Sequence, residues 1–124
     1  MKFTEEEIKD IEKSLLENNY FEADEHLVEF TLGDFYEFGF SQVRGRYYFS
    51  DRRIVFQGFG TDLNIKFADI QEVKPCLVGP FLPFGIKIKA LDPVKNKVRS
   101  YKLSVLKRKV WIDFINEKVN VAKA

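Results

Sequence analysis

Residues 45–60 read GRYYFSDRRIVFQGFG, and the fold turns on how this stretch is read. Tyr47, Tyr48 and Phe49 form one aromatic run, and Ile54, Val55 and Phe56 a second apolar run. Aromatic and β-branched side chains pack best on a pleated surface. Between the runs stand Ser50, Asp51, Arg52 and Arg53. Ser and Asp side chains start turns by bonding backbone amides a few residues on. Two such runs around such a turn predict a β-hairpin.

The pattern continues outward on both sides. Gly58 to Asp62 is the next turn, and Asn64-Ile65-Lys66-Phe67 alternates polar with apolar. Residues 70–78 read as a strand with Pro75 inside it, which predicts a sheet edge or a bulge. Residues 85–90, GIKIKA, have a strict period of two, with Ile86 and Ile88 inward and Lys87 and Lys89 outward. Residues 92–97 form a turn, after which Tyr101, Leu103 and Val105 alternate against Lys102 and Ser104. Upstream, residues 27–38 carry Phe30, Phe35, Tyr36 and Phe38, broken at Gly33-Asp34, and predict one strand or two short ones.

Helices flank the strands. Thr4 and Glu7 have the spacing of a capping box, and Glu5, Glu6 and Glu7 suit the positive end of a helix dipole. Ile8, Ile11, Leu15 and Leu16 then form one apolar stripe that ends at Asn18-Asn19. At the other end, from about Lys107, Val110, Trp111, Phe114, Ile115 and Val119 recur at helical spacing. Lys107-Arg108-Lys109 stands at that helix start, where positive charge opposes the dipole.

The order is helix, about seven strands, helix. Tight turns between successive strands imply antiparallel meanders. The fold class is therefore mainly β with flanking helices (α+β): a seven-stranded antiparallel sandwich or partly open barrel. The C-terminal helix closes its open end, with Trp111 as anchor. The expected organisation is a single domain over 1–124, with residues 1–18 as an extra N-terminal helix and 27–120 as the β body.

Composition agrees and narrows the function classes. The chain has 124 residues, 45% hydrophobic and 31% charged, which excludes wholesale disorder. Its 13 Phe, 5 Tyr and 1 Trp favour a thick, sheet-built core. The longest charge-free apolar run, 75–86, is shorter than the roughly 20 residues of a membrane span. The acidic N-terminus is not a signal peptide, and Cys76 has no second cysteine to pair with. A cytoplasmic protein is expected, peripheral to membranes at most. Net charge is +1, but residues 1–37 hold twelve acidic and three basic side chains, and residues 38–124 seventeen basic and seven acidic. An acidic head of −9 joins a basic body of +10: either the head shields an anion-binding face on the body, or a solvated helix and a solvated sheet simply differ in sign.

Four segments in order also resemble a known family. YYFSDRRIVF (47–56) resembles the "aromatic strand, Ser/Thr-Asp/Asn-Lys/Arg-Arg turn, apolar strand" signature of GRAM and bacterial PH-like domains. IKFADIQEV (65–73) is similar to the next strand of that family, PFGIKIKA (83–90) to the one after, and KRKVWIDFI (107–115) to its closing helix. The resemblance implies the pleckstrin-homology superfold over 27–120 and leaves the N-terminal helix outside it. It also implies a non-catalytic module that binds an anionic membrane surface or a membrane-associated partner. The alternative is a protein-interaction or self-assembly domain without lipid binding, the partner being another protein or a second copy of the chain.

Candidate sites follow from chemistry. His26 and Cys76 are single residues of their types, so neither a zinc cluster nor a nucleophile–base motif can be assembled in sequence. Gly58-Phe59-Gly60 lacks the Lys-Ser/Thr of a phosphate loop. No catalytic residue, metal or cofactor is expected. For anions, guanidinium forks match phosphate bidentately. Arg44 and Arg46 flank Gly45, where lipid-binding members of the resembled superfold carry a Lys/Arg-x-Arg pair, although the upstream basic residue is replaced by Glu29, Asp34 and Glu37. Arg52 and Arg53 would contact a headgroup from an exposed hairpin tip. Lys87, Lys89 and Lys102 would share one outward face. Leu77, Phe81, Leu82 and Phe84, in a run bracketed by Lys74 and Lys87, are candidates for an apolar tip or interface. Nucleic acid is not an expected partner, because the aromatics alternate inward and the acidic head repels phosphate.

Overall fold

The computed structural model describes residues 4–37, 41–78 and 82–124. The expected hairpin at 45–60 is present: β2 (Ser41–Phe49) pairs antiparallel with β3 (Arg53–Gly58). Ser50 makes the turn as its side chain predicted, its Oγ accepting from the Arg52 and Arg53 amides at 2.9 and 3.1 Å. Around this hairpin lie α1 (Glu5–Glu17), β1 (Glu29–Glu37), β4 (Asp62–Lys66), a 3-10 turn (Phe67–Asp69), β5 (Ile70–Val78), β6 (Leu82–Asp92), β7 (Lys97–Val105) and α2 (Arg108–Lys123). The strands form one open antiparallel sheet in the order β4-β3-β2-β1-β7-β6-β5. Residues 29–37 make a single strand that runs through Gly33, and the strand with Pro75 is at an edge.

The sheet bends around one core. Phe35, Tyr47, Phe49, Phe56, Ile65, Ile70, Ile88 and Leu103 come from all seven strands and meet there with Ile115 of α2. Trp111 stacks on Phe49, centroids 4.9 Å apart and planes 14° from parallel, and Phe114 closes edge-on against the same ring. The bend is eased by a row of glycines: Gly33 pairs with Gly45, and Gly45 with Gly58. A β-carbon on Gly45 would lie 2.3 Å from the Gln57 carbonyl oxygen, and one on Gly58 2.6 Å from the Phe56 ring. Aromatic rings occupy the space the three glycines leave empty.

α1 has its capping box, with the Glu7 amide donating to Thr4 Oγ1 and the Thr4 amide to Glu7 Oε1. Asn19 at φ 64° ends it. The helix packs on the outer side of the central hairpin: Leu15 and Phe21 meet Tyr48 and Val55, with Ile11, Tyr20, Leu27 and Phe30 around them. This explains why 47–49 and 54–56 are unbroken apolar runs. Both faces of β2 and β3 are covered, so alternation is not required there.

Candidate anion-binding face

Antiparallel pairing sets which lysines meet. In a hairpin, paired residues are symmetric about the turn, and side chains on one face recur every second residue. Lys87 is opposite Lys102 on β7 and opposite Lys74 on β5, so three lysines stand in register across three neighbouring strands. Ile86 and Ile88 are buried on the other face, as their period predicted. One row over, Lys89 faces Glu72 on β5 and Ser100 on β7.

Carboxylates are scarce on this face. Glu72 holds Lys74 at 3.0 Å and Lys89 at 3.5 Å, and these contacts, the Lys74 hydrogen bond first, pull its pKa below the usual range. Among the described residues no carboxylate pairs with Lys87 or Lys102. Like charges directly opposite on a sheet are destabilising. Cys76, Gly85 and Ser104 form the adjoining outward row. Burial pushes the Cys76 thiol up, while Lys102, Arg108 and Lys87 pull the other way. The surrounding field is therefore cationic. Arg108 donates to the carbonyls of Cys76 and Gly85 at 3.0 and 3.4 Å, so part of the basic run at the start of α2 pins the helix to β5 and β6.

The other expected sites divide. Arg53 was expected at an exposed tip, but its side chain is only 7% exposed. Its Nη2 and Nε bond Glu25 Oε1 and Oε2 at 2.5 and 3.1 Å, and Glu25 also accepts from Ser50 Oγ at 2.7 Å. Arg52 is forked onto Asp24, at 2.9 and 2.6 Å, and reaches Glu22 at 2.7 Å. This lowers the Asp24 pKa and raises that of Arg52. Both arginines are thus occupied by carboxylates of residues 22–25, just after α1. Carboxylates of the acidic head therefore pair with Arg52 and Arg53, from the segment after α1, and not with the lysine row.

Arg44 and Arg46 point outward on β2. Arg44 is 3.8 Å from Asp34, and Arg46 lines a cleft with Asp10 and Ser14 of α1. His26 bonds Glu12 at 2.8 Å and is otherwise exposed. Leu77 is 55% exposed. Phe81, and the side chains of Leu82 and Phe84, lie outside the described part of the structure. The sequence reading missed two features. Lys74 completes the cationic row, and Leu32 and Leu106, 61% and 80% exposed, line one cleft of about 340 Å³ beside Arg44. A second cleft, of about 360 Å³ between β4 and the β6–β7 turn, mixes Arg53, Lys66 and Arg99 with Asp62, Asp69 and Asp92 and so favours neither sign of ligand.

No group of three or more His, Cys, Asp and Glu among the described residues could hold a metal ion, and no described helix is long and apolar enough to cross a membrane. No protein-family profile and no curated protein matches the sequence. Among solved structures, the chain is similar to the C-terminal domain of an unknown protein from Leishmania infantum. The TM-score is 0.70 at 14% identity, covering 90% of this chain and 97% of that one. That likeness concerns fold alone.

Proposed function

We propose that the protein is a non-catalytic PH/GRAM-like binding module whose β5–β6–β7 outer face holds an anionic membrane surface. The carrying observation is the cross-strand pairing of Lys87 with Lys102, next to Lys74, with no carboxylate paired to either among the described residues. Such a row costs stability in the free protein and is relieved by an anionic partner. Each lysine near an anionic leaflet contributes about 1 kcal/mol. The bent antiparallel sheet closed by a C-terminal helix, and the four resembling segments, support the PH-like reading of the fold.

Co-sedimentation with vesicles tests this. Phosphatidylcholine–phosphatidylserine vesicles are expected to bind the protein, phosphatidylcholine vesicles not, and physiological salt is expected to weaken the binding. K87Q/K102Q is expected to weaken it by about thirtyfold at low salt, the equivalent of two lysines. Absence of binding to anionic vesicles at low salt overturns the reading. A defined oligomer by light scattering, together with no vesicle binding, favours the self-assembly alternative.

A further inference from the structure

We propose that Leu32 and Leu106 form an apolar wedge that enters the interfacial layer of an anionic bilayer when the lysine face lies on it; this rests on the reading above. The two leucines flank a strand pair. Gly33 of β1 faces Val105 of β7, Leu32 precedes the first and Leu106 follows the second, and both line the same cleft. Val105 is buried in the core and Leu106, the next residue, is 80% exposed. Lys107 then takes a left-handed conformation at φ 57°, turning the chain into α2 without covering Leu106.

The wedge and the lysines share a strand face. Lys102, Ser104 and Leu106 are alternate residues of β7 and its end, so the lysine row and Leu106 lie about 13 Å apart along one face. Nearby, the outward apolar residues Tyr48 and Val55 are buried under α1, whereas Leu32 is not. The cleft's charges are balanced, because Arg44 has Asp34 at 3.8 Å. Leu32's strand partner Arg46 has Asp10 beside it in the neighbouring cleft. The leucines therefore add an apolar contribution that salt does not screen, distinct from the lysine contribution that it does.

Vesicle titration of the full chain separates the two. L32S/L106S is expected to bind phosphatidylcholine–phosphatidylserine vesicles about tenfold more weakly at every salt concentration, leaving the salt slope unchanged. K87Q/K102Q is expected to flatten that slope. Both leucines are exposed, so L32S/L106S is expected to melt like the parent, and circular dichroism checks this. As a second readout, Leu106→Trp is expected to add blue-shifted emission on vesicle binding beyond that of Trp111. If L32S/L106S binds like the parent while K87Q/K102Q is impaired, the wedge is overturned and the lysine face stands. If the parent binds no anionic vesicle, both are overturned. If the leucine variants alter oligomeric state but not vesicle affinity, the pair is a contact between copies and the wedge is again overturned.

Discussion

Arg53 and Glu25 form a buried, two-pronged ion pair between β3 and the loop after α1, at 2.5 and 3.1 Å, with both side chains almost wholly out of solvent. Glu25 also accepts from the Ser50 hydroxyl and the Glu22 amide, so its lone pairs are used. The pair fixes how the N-terminal segment crosses the hairpin. Removing one partner of a buried pair leaves an uncompensated charge and costs about 3–5 kcal/mol. Urea unfolding of Glu25→Ala and Arg53→Ala is expected to show losses of that order. E25L/R53M, which removes both charges, is expected to lose much less than the sum of the single variants.

Lys87 and Lys102 provide a test in which stability and binding move in opposite directions. Replacing Lys102 by Glu sets a carboxylate directly opposite Lys87. A cross-strand pair of this kind contributes about 0.2–1 kcal/mol. Lys102→Glu is therefore expected to melt slightly higher than the parent at low salt and to bind anionic vesicles more weakly. A lower melting temperature would mean that the lysines do not repel one another as their register implies.

The glycine row should tolerate no side chain. Gly45→Ala places a β-carbon against the Gln57 carbonyl and the Phe56 ring, with backbone on one side and core on the other. The expected loss is about 1–3 kcal/mol, the range of an overpacked core. Gly60 differs, because its β-carbon would meet open space but its φ is +81°. Gly60→Ala is expected to cost about 1–2 kcal/mol from backbone strain alone. Thermal melts of the two variants separate packing from conformation.

Acid and alkali should each weaken the fold through different groups. Asp24, hydrogen-bonded by Arg52, and Glu72, hydrogen-bonded by Lys74, have pKa values below their ordinary 3.8 and 4.5. Their contributions are present above those ordinary values and are lost as pH falls through the depressed ones. Tyr20 donates to Asp62, and that bond, with burial, pushes its pKa from 10.0 up to about 12. Burial also raises Tyr47 and Tyr101. Stability from these phenols is complete below pH 10 and lost as pH rises through their folded values. Urea midpoints are expected to be level near neutrality and to fall in both directions. Phenolate absorbance of Tyr20→Phe should lose a component titrating near pH 12.

Much of this was legible in the chain. Ser50-Asp51 marked the turn, Thr4 and Glu7 the helix cap, and Pro75 the edge strand. Even the Lys87–Lys102 pairing was within reach. The turn at residues 93–96 centres between Val94 and Lys95, and residues equally far from that centre face each other. Lys74 was harder, because the β5–β6 register shifts twice. Period alone does not reveal a bulge.

The local elements could be read from the chain alone, because caps, turns and apolar periods act over a few residues. That β2 and β3 are covered on both faces is shown only by the fold, where α1 lies on Tyr48 and Val55. The tertiary structure decided which charges were already spent. Arg52 and Arg53 look like free cations in the sequence, yet carboxylates up to 30 residues away hold them. Lys87 and Lys102 look like ordinary solvated lysines, yet the sheet sets them opposite each other, with no carboxylate on either among the described residues. Charge pairing depends on distances of a few ångströms between residues remote in the chain, and only the folded arrangement of strands sets those distances.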